Sequence, residues 1–327
     1  MILLQFNHIM KRLITLAFAI VAVLFATAQT MVIYPKSGDP IEYKVSELNN
    51  IKFFPADSET PAPDEDITVT EVFCHRAELN IYGKLYRPTS ATDNESLPTV
   101  ILSHSANLTA DAMNAYATAI AKAGYCAYAF DFCGACDESR SDGSTDEMTP
   151  FTEVEDLKAV IATLKTNPGV DAERICLLGS SMGGLVSALT AEDSSLSIAG
   201  LILFYPAFNI PDLVAMMDKF GGGSFGSMGY SEAFCNSMRG YDVYANIGTF
   251  ARKVLILHGS EDIIVKISYS QKAVETYPDA TLVTVDGANH GFNADNLGSF
   301  GSMGGSTADY DAIVIPHVID YLNTYLK

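Results

Sequence analysis

From Thr99 onward the sequence keeps changing its hydrophobic period. Apolar, strand-like runs occur at TVILSH (99–104), YCAYAFD (125–131), RICLLG (174–179), IAGLILFYP (198–206), KVLILHG (253–259) and ATLVTVDG (280–287). Helical patterns lie between the first of them, over 109–124, 151–168 and 182–192. Strands that are apolar without alternation are covered on both faces, and strands that alternate with helices pair in parallel. Two earlier runs, 67–74 and 78–87, read as an antiparallel pair. The final segment, DAIVIPHVIDYLNTYLK, reads as a closing helix in which Pro316 is tolerable only near the start. The chain is thereby constrained to an α/β fold around a mostly parallel sheet. In such sheets functional sites collect at the carboxyl ends of the strands.

Three strand ends carry chemistry. RICLL runs into Gly179-Ser180-Ser181-Met182-Gly183, a G-x-S-x-G between strand and helix. That is the nucleophile-elbow pattern, in which a tight turn exposes the serine and leaves no room for side chains two residues away. Ser-Met-Gly recurs at Ser227 and Ser302, inside an identical heptapeptide GSFGSMG, but there Phe225 and Phe300 stand two residues before the serine. Those phenylalanines are too large for an elbow. A serine hydroxyl needs a base to accept its proton, and the base needs a carboxylate to orient it. His290 follows the last strand, and Asp262 follows KVLILHG. Glu261 and Asp286 compete with Asp262, which has the shorter reach and sits in the turn. His258, at the end of its strand, is read as orienting that loop. Met182, at the helix N-terminus, would give one backbone N–H to an oxyanion.

The order Ser181, Asp262, His290 and the stretches around it resemble the α/β-hydrolase superfamily. Within it the chain looks like bacterial cinnamoyl and feruloyl esterases and dienelactone-hydrolase-like serine esterases. The stretches that carry the resemblance are DFCGACDESRSDG (131–143), YDVYANIGTFARKVLILHGSEDIIV (241–265) and YPDATLVTVDGANHGF (277–292), and it covers about 67–327. The resemblance implies an α/β-hydrolase fold, hydrolysis of an ester through an acyl-enzyme, and no metal or organic cofactor. It also implies a second oxyanion donor from the loop SHSANLTAD (103–111), by position Ala106. Most relatives would show His-Gly where this chain has His104-Ser105, and many have proline at Lys266. The stretch 207–252, after the sixth strand, is too long for a plain crossover and would form a cap. Phe225, Met228 and Tyr230 in it would line an apolar acyl pocket. A prolyl-oligopeptidase-like peptidase, a thioesterase and an inactive binding module with this fold are the alternatives.

The remaining features bound the setting. Lys11-Arg12, the apolar run Leu13–Phe25 and the small residues Ala26-Thr27-Ala28 form the pattern of a cleaved export signal over 1–28. The run is shorter than the roughly 18–20 residues of a spanning helix. An exported or periplasmic protein is expected, off the membrane once the signal is removed. Residues 29–54 read as a small β arm and 55–66, PADSETPAPDED, as an acidic Pro-rich linker. The formal net charge of −19 argues against nucleic acid as a partner, since both would be polyanions. Cys126 and Cys176 lie within strand runs and read as packing residues. Cys133 and Cys136, in CGAC, are either a tight local disulfide or two idle thiols. A lone CxxC does not make a metal site.

Overall fold

The computed structural model describes residues 65–92, 95–219, 230–293 and 309–327 in full, and 30–33 and 41–44 by their backbone. The export signal, most of the linker, Phe225, Met228 and both GSFGSMG copies lie outside the described residues. The chain divides into two compact units, Met1–Ala62 and Pro63–Lys327. In the first, β1 (Thr30–Ile33) and β2 (Ile41–Lys44) pair antiparallel, with Thr30 opposite Lys44.

The second unit is built on an eight-stranded sheet in the order β10-β9-β8-β7-β5-β6-β4-β3. β3 (Ile67–Arg76) and β4 (Leu79–Pro88) form an antiparallel hairpin closed at Ala77, whose φ is 51°. β5 (Leu97–Ser103), β6 (Cys126–Phe130), β7 (Val170–Ser180), β8 (Gly200–Phe204), β9 (Val254–Gly259) and β10 (Ala280–Val285) run parallel to one another. β5, β6, β8 and β9 are buried along their whole length, as their unbroken apolar sequences require. β3 is one of the two edge strands and leaves Val69 and Phe73 about half exposed.

Helices cover both faces. α1 (Asn114–Lys122), entered through a 3-10 turn at Ala110–Met113, and α7 (Asp311–Tyr325) pack on one side. α2 (Pro150–Leu164), α3 (Met182–Ala191) and α6 (Ile267–Thr276) pack on the other. α2 stops at Leu164, four residues short of the expected boundary, and turns through Asn167 into β7. α6, ISYSQKAVET, shows no conspicuous apolar stripe because the residues it buries are the small Ser270 and Ala273. Pro316 sits in the second turn of α7, where the one bond it removes lies close to the helix start. The stretch after β8 holds α4 (Ile210–Lys219) and α5 (Glu232–Met238), which join the core through Val214, Met217, Phe234 and Met238.

All six cysteines are free thiols. Cys126 and Cys176 are fully buried in the core. The Cys133 and Cys136 thiols face different carbonyls, Asn80 O and Leu108 O.

Candidate active site

Ser181 stands between β7 and α3 with φ 50° and ψ −112°, a left-handed strained conformation for a residue with a side chain. Its N–H donates to Phe204 O (2.9 Å), and its carbonyl accepts from Ala207 N (2.8 Å), so the end of β8 and the loop after it clamp the turn from both ends. The flanking glycines are steric necessities. A Cβ at Gly179 would lie 2.1 Å from Gly183 O, and a Cβ at Gly183 would lie 2.3 Å from Ser103 O. The turn is therefore packed backbone against backbone.

Ser181 Oγ is 3.0 Å from His290 Nε2, and His290 Nδ1 is 2.8 Å from Asp262 Oδ2. The three residues, two of which lie beyond the 207–252 stretch, stand in one hydrogen-bonded line. All three are buried. Glu261 and Asp286, the competing acids, are exposed and outside this line. Asp262 Oδ1 accepts from Ile264 N (2.9 Å) and Val265 N (2.8 Å). Burial pushes the Asp262 carboxyl upward, but hydrogen bonds and charge from His258 and His290 outweigh it and hold it well below the ordinary range.

The loops bearing Asp262 and His290 are tied together. Gly259 faces the Ala288 backbone so closely that a Cβ would fall 2.2 Å from Ala288 O. Glu261 N donates to Ala288 O (2.9 Å), and Asn289 Oδ1 accepts from Ile263 N (3.3 Å) and His290 N (2.8 Å).

Ser105 does not disturb the loop after β5. Its φ is not in the left-handed region, so glycine is not required there, and its Oγ is 3.0 Å from Ser180 Oγ. His104 braces the loop: Nδ1 lies 2.8 Å from Ser105 O, and Nε2 accepts from Phe132 N (3.1 Å). Burial pushes His104 below its ordinary pKa, which suits this neutral, Nδ1-protonated form. The N–H groups of Ala106 and Met182 have no hydrogen-bond acceptor among the described residues. Met182 is the first residue of α3, where an N–H has no partner within the helix.

Tyr230 is 6% exposed, and its ring is stacked on Phe234 at 4.1 Å. It is part of the core that fixes α5 to the body. Sequence reasoning passed over Tyr205, whose ring centroid is 4.6 Å from that of His290. Tyr205 has φ 34°, and burial and the Asp262 charge push its phenol well above the ordinary range. Its only signal in the sequence is its place at the end of LILFYP. Among the described residues no group of three or more His, Cys, Asp or Glu side chains is arranged to hold a metal ion.

A family model described as serine aminopeptidase, S33, matches residues 94–229. Comparison with curated proteins finds no match. Among solved structures, Est1E from Butyrivibrio proteoclasticus with bound ferulic acid is similar at 19% identity, over 78% of this chain and 98% of that one, with a TM-score of 0.64. The α/β hydrolase GrgF from Penicillium sp. sh18 is similar at 16% identity, over 79% and 99%, with a TM-score of 0.61. The Pyrococcus furiosus esterase Pf2001 is similar at 21% identity, over 80% and 93%, with a TM-score of 0.57. The strand order, the elbow after β7 and these likenesses agree on one architecture: the chain has the α/β-hydrolase fold.

Proposed function

We propose that this protein is an exported serine carboxylic-ester hydrolase that acts on hydroxycinnamoyl (feruloyl) or acetyl esters of plant polysaccharides. The observation that carries the reading is the hydrogen-bonded line from Ser181 Oγ through His290 to Asp262. The likeness to Est1E with its bound ferulic acid and to the esterase Pf2001 supports the ester as substrate. The apolar run and small-residue cleavage pattern of residues 1–28 support export.

In this mechanism His290 Nε2 takes the proton of Ser181 as Oγ attacks the ester carbonyl carbon. The Asp262 carboxylate accepts from Nδ1–H, fixes the tautomer and stabilises the imidazolium. The tetrahedral oxyanion is held by the N–H groups of Met182 and Ala106, with the first turn of α3 adding its dipole. His290 then returns the proton to the leaving alcohol oxygen. Water, deprotonated by the same nitrogen, cleaves the acyl-enzyme and regenerates Ser181.

The test is turnover by the purified mature chain of methyl ferulate, acetylated xylan, p-nitrophenyl acetate and a prolyl peptide amide, with fluorophosphonate labelling alongside. Hydrolysis of the esters and labelling at Ser181 are expected, both abolished by Ser181→Ala. The matched family model, described as a serine aminopeptidase, favours a peptidase as second reading. Cleavage of the amide with the esters left intact would establish that reading instead.

A further inference from the structure

His258 ends in a wholly buried side chain at the carboxyl end of β9. Its Nε2 lies 2.7 Å from Val265 O and 3.2 Å from Asp262 Oδ2, and its Nδ1 lies 2.7 Å from Ser270 Oγ on α6. A carbonyl oxygen can only accept, so Nε2 carries the proton. In the neutral ring Nδ1 is then an acceptor, and the Ser270 hydroxyl donates to it. The imidazole is pinned at both nitrogens, and its Nε2–H is shared between the Val265 carbonyl and Asp262.

The Asp262 carboxylate is filled as a result. Oδ1 takes the two backbone N–H groups of Ile264 and Val265, and Oδ2 takes one N–H from His290 and one from His258. An ionised carboxylate offers about four lone-pair sites, and all are used. Two imidazoles therefore draw on one oxygen, and each donor lowers the charge available to the other. The titratable groups facing this arrangement are Asp262 after β9, His290 after β10, and Tyr205 after β8, whose phenol is held well above its ordinary range by burial and the Asp262 charge.

We propose that His258 is a positioning residue of the triad, a second imidazole that aims Asp262 Oδ2 at His290 and moderates its basicity. The inference rests on the reading of Ser181, His290 and Asp262 as catalytic. Without the His258 N–H, a more basic carboxylate faces His290, stabilises its imidazolium further and raises the pH at which it becomes a free base.

The experiment compares His258→Gln, whose side-chain amide N–H reaches the place of Nε2–H, with His258→Leu, which has no donor. The acid limb of kcat/KM for p-nitrophenyl acetate is expected to stay in place in the Gln variant. In the Leu variant it is expected to move upward by roughly half to one pH unit, with kcat reduced about tenfold and KM unchanged. Ser270→Ala, which releases Nδ1, is expected to move the limb in the same direction by less, and it carries the test if His258→Leu does not fold. The low-field proton resonance of His290 Nδ1–H, observable without substrate, should titrate with the same displacement. An acid limb and a low-field proton that titrate as in the wild type in folded His258→Leu, or in Ser270→Ala if Leu fails to fold, overturn the proposal. So does a Gln variant displaced as far as Leu. A wild-type chain that does not hydrolyse the ester overturns the esterase reading instead, and the proton titration still decides the role of His258.

Discussion

The His104 carbonyl lies against Gly183: a Cβ at position 183 would come within 2.5 Å of His104 O. The elbow and the loop carrying Ala106 thus share one close backbone contact, and the distance between the two proposed oxyanion donors depends on it. Gly183→Ala is expected to push the loop away. Overpacking of this kind costs about 1–3 kcal/mol of stability, and loss of one oxyanion donor costs ~10²–10³-fold in kcat. Steady-state kinetics beside a thermal melt separate the two effects. A kcat near wild type in a folded variant would remove Ala106 from the proposed site.

Asp262→Asn is expected to fail through its hydrogen-bond polarity. Ile264 and Val265 N–H both need an acceptor, so the amide oxygen takes the place of Oδ1. The amide NH₂ then faces His290 and forces its proton onto Nε2, where the ring can no longer accept from Ser181. The expected loss in kcat is ~10³–10⁴-fold with little change in KM. Hydrolysis of p-nitrophenyl acetate at neutral pH measures it.

Glu153, in the first turn of α2, is 1% exposed, and its Oε2 has no hydrogen-bond partner among the described residues. Burial, and then the charge of Asp156, push its carboxyl well above the ordinary 4.5. A raised acid lets the unfolded chain release its proton first. Stability is therefore full below the ordinary value and is lost as pH rises from there toward the folded value. Glu153→Gln removes that loss. Its melting temperature should match the wild type near pH 4 and exceed it near pH 8 by at least ~2 °C, the effect of about 1 kcal/mol in a domain of this size. Melting curves that stay parallel across that range would show that Glu153 is not held protonated.

Tyr321, on α7, accepts from Leu201 N (3.1 Å) and donates to Lys253 O (2.5 Å). One buried hydroxyl thus joins the last helix to β8 and to the start of β9. Tyr321→Phe leaves both backbone groups without this partner, at a cost of about 1–3 kcal/mol. Denaturant unfolding should show it as a lower midpoint with an unchanged slope.

Much of this was legible in the residues, and the reasons are local. Each central strand is an apolar run bounded by turn residues, and Ser181, Asp262 and His290 each stand just past one. The elbow could be read because its glycine spacing is local: Gly179 is forced by Gly183 O within the same turn, whereas Gly183 is forced by the Ser103 and His104 carbonyls at the end of β5. What could not be read depends on distant parts of the chain. Nothing in LILFYP announces that Tyr205 turns left-handed under His290. The harmlessness of Ser105 depends on Ser180, from another strand. α6 buries only the small Ser270 and Ala273, and Ser270 matters through His258. The burial of Tyr230 on Phe234 is likewise a tertiary fact, which a pattern of aromatic residues in an insertion does not distinguish from a pocket wall.

Asp262 and His290 both enter the chain after the long stretch that follows β8, and α7, docked by Tyr321, comes after both. No amino-terminal portion ending before residue 290 can contain the hydrogen-bonded line, however well its own strands have formed. Turnover is then a clock for the end of folding. During refolding or synthesis, activity should appear no sooner than the carboxyl-terminal quarter has closed onto the sheet, well after most of the helical signal has been recovered.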